Sequence, residues 1–140
     1  EILKFRSMTV QENGALVRQA QRNDSRVTPL GRMLRRTSID ELPQLFNVLK
    51  GEMSIVGPRP HAIAHDDYYN QIIVPYAFRH HVKPGITGWA QINYPYGASL
   101  DDSRQKLEYD LYYAKNYTPF LDLVIILQTI RVVIWPEGAR

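Results

Sequence analysis

Apolar and polar positions along the chain recur with two different periods, and the places where the period changes outline its elements. Ile2-Leu3-Lys4-Phe5-Arg6-Ser7-Met8 switches between apolar and polar side chains, the pattern of a half-buried strand. From Gln11 to Asp24 the chain is polar and weakly patterned, which predicts a loop with some helix. Thr28-Pro29 predicts a helix start, with Thr at the N-cap and Pro at the first helical position. Leu30, Met33 and Leu34 then form a short apolar stripe, while Arg32, Arg35 and Arg36 face elsewhere. Ser38-Ile39-Asp40-Glu41 has the spacing of a capping box ahead of Leu42, Leu45, Phe46 and Leu49. Pro43 fits the first turn better if Asp40 is the N-cap. Under either assignment Asp40 and Glu41 stand at a helix N-terminus, and Gly51 is placed to close that helix in the left-handed conformation.

The second half is punctuated by turn residues. Gly57-Pro58-Arg59-Pro60 predicts a rigid turn, because each residue before a proline is pushed out of the helical region. A helix is expected from about His61 to Gln71, and Lys83 to Trp89 forms a second loop leading into Ala90-Gln91-Ile92-Asn93. Ser99 and Asp102 form a capping box that opens a long helix, with Leu100, Leu107, Leu111 and Ala114 on one side. Thr118-Pro119 opens a last helix running to about Trp135. That segment is the most apolar in the chain, yet it is shorter than the ~20 residues that cross a bilayer, and Asp122, Gln128 and Arg131 interrupt it. Ile125, Ile126, Ile130, Val133 and Ile134 spread over more than one face. A core helix and an interfacial helix in the headgroup layer both fit. The pattern as a whole predicts an α/β chain, predominantly helical with a small sheet element.

Composition narrows the classes of function. With 140 residues, 44% hydrophobic and 22% charged, the chain has the make-up of one globular domain over residues 1–140. The absence of cysteine excludes a disulfide scaffold, a thiolate nucleophile and any Cys-ligated metal. The chain opens on Glu1 without a signal peptide, and is expected to be the C-terminal piece of a longer membrane-associated protein. Residues 1–59 carry ten Lys and Arg against six Asp and Glu, whereas residues 60–140 carry seven against eight. The basic half suits an anionic partner such as a phosphate, a nucleic acid or a lipid surface, and equally a solvated basic face.

Within that basic half, Asp40-Glu41 is the principal candidate for chemistry. Acids at a helix start also serve as caps. As a functional pair, one carboxylate can attack phosphorus while the other holds a metal or orients the first. Lys4, Arg6, Arg32, Arg35, Arg36 and Arg59 surround the pair in sequence and provide donors matched to phosphate oxygens. Arg59 stands apart because Pro58 and Pro60 lock its backbone, which suits a preorganised anion clamp. His61 and His65, with His80-His81, give a metal site only if surface histidines happen to converge, and no HExxH pattern is present. Trp89, Tyr94 and Tyr96 serve either packing or base stacking, and Asp110 flanks the apolar side of its helix, where it can turn toward a polar site.

Taken together, KFRSM (4–8), LRRTSIDELPQLFNVLKGEMSIVGPRP (34–60), KPGITGWAQIN (83–93), LEYDLYYAKN (107–116) and LDLVIILQTIRVVI (121–134) resemble the bacterial sugar transferases, monotopic polyprenyl-phosphate phosphoglycosyl transferases. NYPYGAS (93–99) resembles the exopolysaccharide type, including undecaprenyl-phosphate glucose phosphotransferases. The resemblance implies a catalytic domain lacking its upstream membrane helix. It implies Mg²⁺-dependent transfer of a hexose-1-phosphate from a UDP-sugar to undecaprenyl phosphate, at the cytoplasmic face of the bacterial inner membrane, with no nucleic acid as partner. Asp40 would be the nucleophile of a covalent phosphosugar intermediate, and Asp40 and Glu41 the metal ligands. Lys4, Arg6, Arg35, Arg59 and Asp110 would contact substrate. Two rivals share parts of this reading: a non-enzymatic basic module that binds nucleic acid or an anionic membrane, and an Mg²⁺-dependent nucleotide-sugar pyrophosphate hydrolase. The basic module leaves a carboxylate pair among arginines unexplained. The sugar used and the oligomeric state are not legible in the sequence.

Overall fold

The computed structural model describes residues 1–9, 24–61, 66, 67, 69, 71, 73, 75–94 and 99–134. Over these residues the chain is mostly helical, with one small parallel sheet. Helix α1 (Pro29–Arg36) starts as its sequence indicates, with Thr28 Oγ1 accepting from the Gly31 amide at 2.9 Å. Its docking is less expected, because Leu30 and Met33 are exposed instead of facing a core. The helix is seated through its backbone. Thr28 donates to the Ser7 carbonyl, and a Cβ on Gly31 would lie 1.9 Å from the same oxygen.

Ser38 makes no capping box. It adopts the left-handed conformation, with φ at 56°, and its side chain caps nothing. Residues Ile39–Glu41 form a single 3₁₀ turn, and helix α2 (Gln44–Leu49) begins only after Pro43. A continuous helix would drive the Pro43 ring into the carbonyl four residues earlier, so the chain divides there. Gly51 takes the expected left-handed cap with φ at 76°.

Residues 2–8 are not a strand. This segment is tied down one group at a time, to Asn47 of α2 and to the Asp40 turn before it, so no ladder forms. Leu3 N donates to Asn47 Oδ1, Phe5 N donates to the Asp40 carbonyl, and only Met8 bridges to Val27. The sheet comes instead from β1 (Ser54–Val56) and β2 (Gly85–Thr87), paired in parallel with Ser54 opposite Gly85 and Val56 opposite Thr87. β2 therefore lies inside the stretch expected to be loop. Three-residue strands are too short to display a period, and Gly85 permits the close approach, since a Cβ there would sit 2.1 Å from Gly57 N.

A 3₁₀ helix over Tyr76–His81 precedes β2, and α3 (Trp89–Asn93), α4 (Leu100–Asn116) and α5 (Pro119–Ile134) follow it. The Ser99–Asp102 capping box at the start of α4 is fully formed. Thr118 Oγ1 accepts from Leu121 N at the start of α5. The helix expected over His61–Gln71 lies largely outside the described residues, although 66, 67, 69 and 71 are helical. The loop expected before Asp24 and the terminal Trp135 also lie outside them.

Helix α4 forms a wall shared by two apolar clusters. Leu107 packs with Ile73 and Tyr76, flanked by Tyr69 and Leu111. Tyr113 packs with Val56 and Ile125, flanked by Val82, Trp89, Ile92, Leu121 and Ile126. Helix α5 is two-faced. Ile125 is fully buried, whereas Phe120, Leu123, Leu127 and Ile130 form an exposed apolar stripe on its other side. The helix is thus core on one face only. None of the helices described is long and apolar enough to cross a membrane. Ile125→Ala should cost about 2–5 kcal/mol through the cavity it leaves. Leu127→Ala should change stability by no more than about 0.5 kcal/mol. Urea unfolding of the two variants, monitored by circular dichroism, measures the difference.

Candidate active site

Three distant pieces of chain meet at the carboxylate of Glu41. Lys4 Nζ donates to Glu41 Oε1 at 2.9 Å. The Arg59 guanidinium forms a two-pronged contact, with Nη1 on Oε2 at 3.2 Å and Nη2 on Oε1. Asp40, the neighbour of Glu41, is 8% exposed and makes no ion pair among the described residues. The left-handed Ser38 and the 3₁₀ turn after it place both carboxylates at this point, and Phe5 N pins the Asp40 carbonyl at 2.9 Å.

Buried Asn47 brings Lys4 into range. Its amide accepts from Leu3 N and donates to the Glu1 carbonyl at 2.7 Å and to Glu52 at 2.6 Å. Lys4 is therefore flanked by two anchored amides, those of Leu3 and Phe5. Nothing in the spacing of Asn47 marks this role, because it is carried by a backbone segment 44 residues away.

The two carboxylates differ electrostatically. Burial raises Asp40 from its ordinary value and the charge of Glu41 raises it further, with Lys4 and Arg35 opposing. Burial would raise Glu41 as well, but Arg59 and Lys4 outweigh it and hold this group below the ordinary value. The surroundings thus push the two neighbours in opposite directions, Glu41 toward the charged form and Asp40 away from it.

A second, buried cation stands behind Arg59. Arg79 is 3% exposed, and its Nη2 donates to the Arg59 carbonyl at 2.5 Å and pairs with Asp110 Oδ2 at 2.9 Å. Its Nη1 reaches Tyr76 Oη at 2.8 Å and His61 Nδ1 at 2.9 Å, and Tyr76 donates in turn to Asp66. Asp110 is 4% exposed, and burial pushes its carboxyl up to about 6 despite the stabilising Arg79. Sequence reasoning singled out Asp110 but missed Arg79, which has no proline frame or motif spacing to flag it. A cavity of about 210 Å³ opens beside these groups, lined by Pro58, Arg59, Pro60, His61, Asp66, Arg79 and neighbours.

Of the expected site residues, the structure gathers Lys4, Asp40, Glu41 and Arg59 into one cluster, with Arg35 close enough to stabilise the Asp40 charge. Asp110 sits one layer behind, on Arg79. Arg6 is exposed and forms no ion pair among the described residues. His65 and Tyr96 lie outside the described residues, among which no group of three acids or histidines converges on a metal position. Trp89 stacks on Tyr112 and packs against the Tyr113 cluster, while Tyr94 donates to Asp102.

Residues 1–136 match the family model described as bacterial sugar transferase. The chain is 53% identical over 132 residues to the UDP-glucose:undecaprenyl-phosphate glucose-1-phosphate transferase of Escherichia coli (strain K12), a match covering 93% of this chain and 28% of that protein. It is 48% identical over 139 residues to the UDP-N-acetylgalactosamine-undecaprenyl-phosphate N-acetylgalactosaminephosphotransferase of Aeromonas hydrophila, with 99% and 33% covered. It is 42% identical over 136 residues to the exopolysaccharide production protein PSS of Rhizobium leguminosarum bv. phaseoli, with 93% and 68% covered. The chain thus spans 28% and 33% of the length of the first two.

The raised carboxyl of Asp110 has a consequence for stability. The folded state binds this proton more tightly than the unfolded chain, so ionised Asp110 opposes folding above about pH 6, and that cost is relieved as the pH falls from about 6 toward 4. Relative to Asp110→Asn, the wild-type chain should therefore gain stability on acidification across this window. Denaturant unfolding of both proteins from pH 7 to pH 4.5 measures it; a difference that stays flat or runs the other way contradicts the burial argument.

Proposed function

This chain belongs to the bacterial sugar transferase family, and from that premise we propose that it transfers a hexose-1-phosphate from a UDP-sugar to undecaprenyl phosphate. The reading includes a covalent aspartyl intermediate and a place in exopolysaccharide assembly. The observation that carries it is the unequal carboxylate pair: Glu41 held between Lys4 and Arg59, with Asp40 beside it, its affinity for a proton raised by burial and its carboxylate without a direct ion pair among the described residues. A nucleophile needs basicity at the attacking oxygen, and its neighbour needs a fixed charge and position.

In the first step a carboxylate oxygen of Asp40 attacks the phosphorus that bears the sugar. An O–P bond forms as the bond to the bridging oxygen breaks, and UMP leaves with that electron pair. In the second step a phosphate oxygen of undecaprenyl phosphate attacks the same phosphorus, and the bond to Asp40 breaks to restore the carboxylate. Arg59, Arg35 and Lys4 orient the diphosphate and offset its charge.

Asp40 and Glu41 would hold Mg²⁺. Two carboxylates without a third acid or histidine, among the described residues, suit a hard cation that takes its other ligands from phosphate and water. Glu41 Oε1 already accepts two donors while Oε2 accepts one, which leaves a lone pair for coordination. When bound, Mg²⁺ supplies positive charge to the phosphate oxygens.

The cytoplasmic face of the inner membrane is the proposed setting. Leu30, Met33, Leu42, Leu45, Phe46 and Leu49 are exposed close in sequence to the acidic pair, and α5 adds its own apolar stripe. Exposed Arg32, Arg36 and Lys50 lie among them, a composition suited to an anionic lipid surface.

Asp40→Asn in the full-length protein should lower UMP release by about a thousandfold or more, ~4 kcal/mol in barrier, with the fold intact. Glu41→Gln should also be severe, and chelation of Mg²⁺ should stop the wild-type enzyme. Without lipid acceptor, labelled UMP should exchange into the UDP-sugar, as a covalent intermediate requires. Steady UMP release without acceptor would indicate a hydrolase instead, and native-like turnover by Asp40→Asn would refute the mechanism. For the membrane setting, Leu127→Asp and Phe46→Asp should weaken binding to anionic liposomes while the melting temperature holds. Ile125→Asp should lose the fold itself. Melting that falls equally at all three positions would mark them all as core.

A further inference from the structure

We propose that Arg79 is a positioning residue for the transfer reaction: its buried guanidinium, with Asp110 as counter-ion, fixes the main-chain carbonyl of Arg59 and thereby keeps the Arg59 head group on Glu41 and the donor diphosphate. The reaction itself is the one proposed above; the placement rests on geometry.

The turn that carries Arg59 is locally stiff but has few donors of its own with which to dock on the rest of the fold. Pro58 and Pro60 have no N–H, so the segment must be held largely through its carbonyls. Gly85 N takes the Pro58 carbonyl at 3.0 Å, and Arg79 Nη2 takes the Arg59 carbonyl at 2.5 Å. The first contact fixes the turn to β2. The second fixes the residue whose side chain reaches the active site. Arg79 is itself held from three directions: by Asp110 on α4, by Tyr76 on its own 3₁₀ helix, and by His61 just after the turn.

A buried ion pair adds little stability compared with apolar packing, because both charges give up their water. What the pair does supply is direction. The planar fork of arginine can donate to a carboxylate and a carbonyl in one plane, and a lysine cannot reproduce both contacts. At 3% exposure Arg79 is buried, whereas the Arg59 side chain is 44% exposed at the site. Arg79 therefore acts through Arg59.

The test is a double-mutant cycle in the full-length, lipid-embedded protein, with Arg79→Lys, Arg59→Ala and the double variant. UMP release from the UDP-sugar and melting temperature are measured separately, below the melting point of the weakest variant. Arg79→Lys alone should lower kcat/KM by about ten- to a hundredfold, since a shift of about an ångström in a positioning group has that scale of effect. In the Arg59→Ala background it should lower activity no further, while its effect on melting temperature should persist. Activity losses that multiply in the double variant would show that Arg79 does not act through Arg59 and overturn the proposal. So would full activity in folded Arg79→Lys. If the parent releases no UMP from any UDP-sugar, the transferase reading fails, and the crystal structure of Arg79→Lys decides the placement separately. An Arg59–Glu41 pair unchanged in that structure overturns the proposal, and a displaced Arg59 head group upholds it.

Discussion

Glu41 accepts hydrogen bonds from two cations that come from separate segments of the chain, and the arrangement of the site depends on both arriving. Lys4 comes from an N-terminal segment with no ladder of its own, and Arg59 from a turn with a proline on each side of it. Each is held by a buried polar side chain behind it: Asn47 under the N-terminal segment and Arg79 under the turn. These groups are nearly inaccessible to water, where a hydrogen bond is stronger and an unmade one costs more. The solvent-facing ion pairs inherit their geometry from contacts that water cannot disrupt.

That arrangement also separates the two adjacent acids. Without the cations, a buried pair of neighbouring carboxylates would share one proton between them. Lys4 and Arg59 favour the charge on Glu41 through direct contacts, while Asp40 feels Lys4 and Arg35 without direct contact and remains shielded from solvent. Two similar acids are thus shifted in opposite directions by their surroundings, which favours giving them different work.

Much of the site was legible in the sequence because its members carry local signals. The proline frame marked Arg59, the adjacent acids marked Asp40 and Glu41, and the caps at Thr28 and Ser99 marked helix starts that formed as expected. The errors have a common physical cause. Alternation at residues 2–8 reads as a strand, but its amides were satisfied by Asn47 and the Asp40 turn, a tertiary competitor that no local pattern encodes. The Ser38 capping box failed because Pro43 divides the helix it would have capped. β1 and β2 were too short to show periodicity, and their pairing depends on a close backbone approach visible only once the chain is folded. Arg79 escaped notice because a buried arginine resembles a surface one until its partners are known.

The exposed apolar residues connect the site to the physical problem posed by the proposed reaction. A nucleotide sugar is carried in water and a polyprenyl phosphate is carried in lipid, so a catalyst that joins them needs its charged groups at the boundary between the two. Asp40 and Glu41 sit on a short turn between α1 and α2, and both helices leave apolar side chains uncovered while arginines emerge between them. Burying those side chains in the protein would move the acids away from the surface. Leaving them in water costs stability, on the order of 25 cal/mol for each Å² exposed. In the proposed setting, a headgroup layer would cover the apolar stems and accept the guanidinium heads at once. The phosphate of the lipid acceptor would then reach the depth of the Glu41 cluster without leaving the interface, and the carboxylates would not have to enter hydrocarbon.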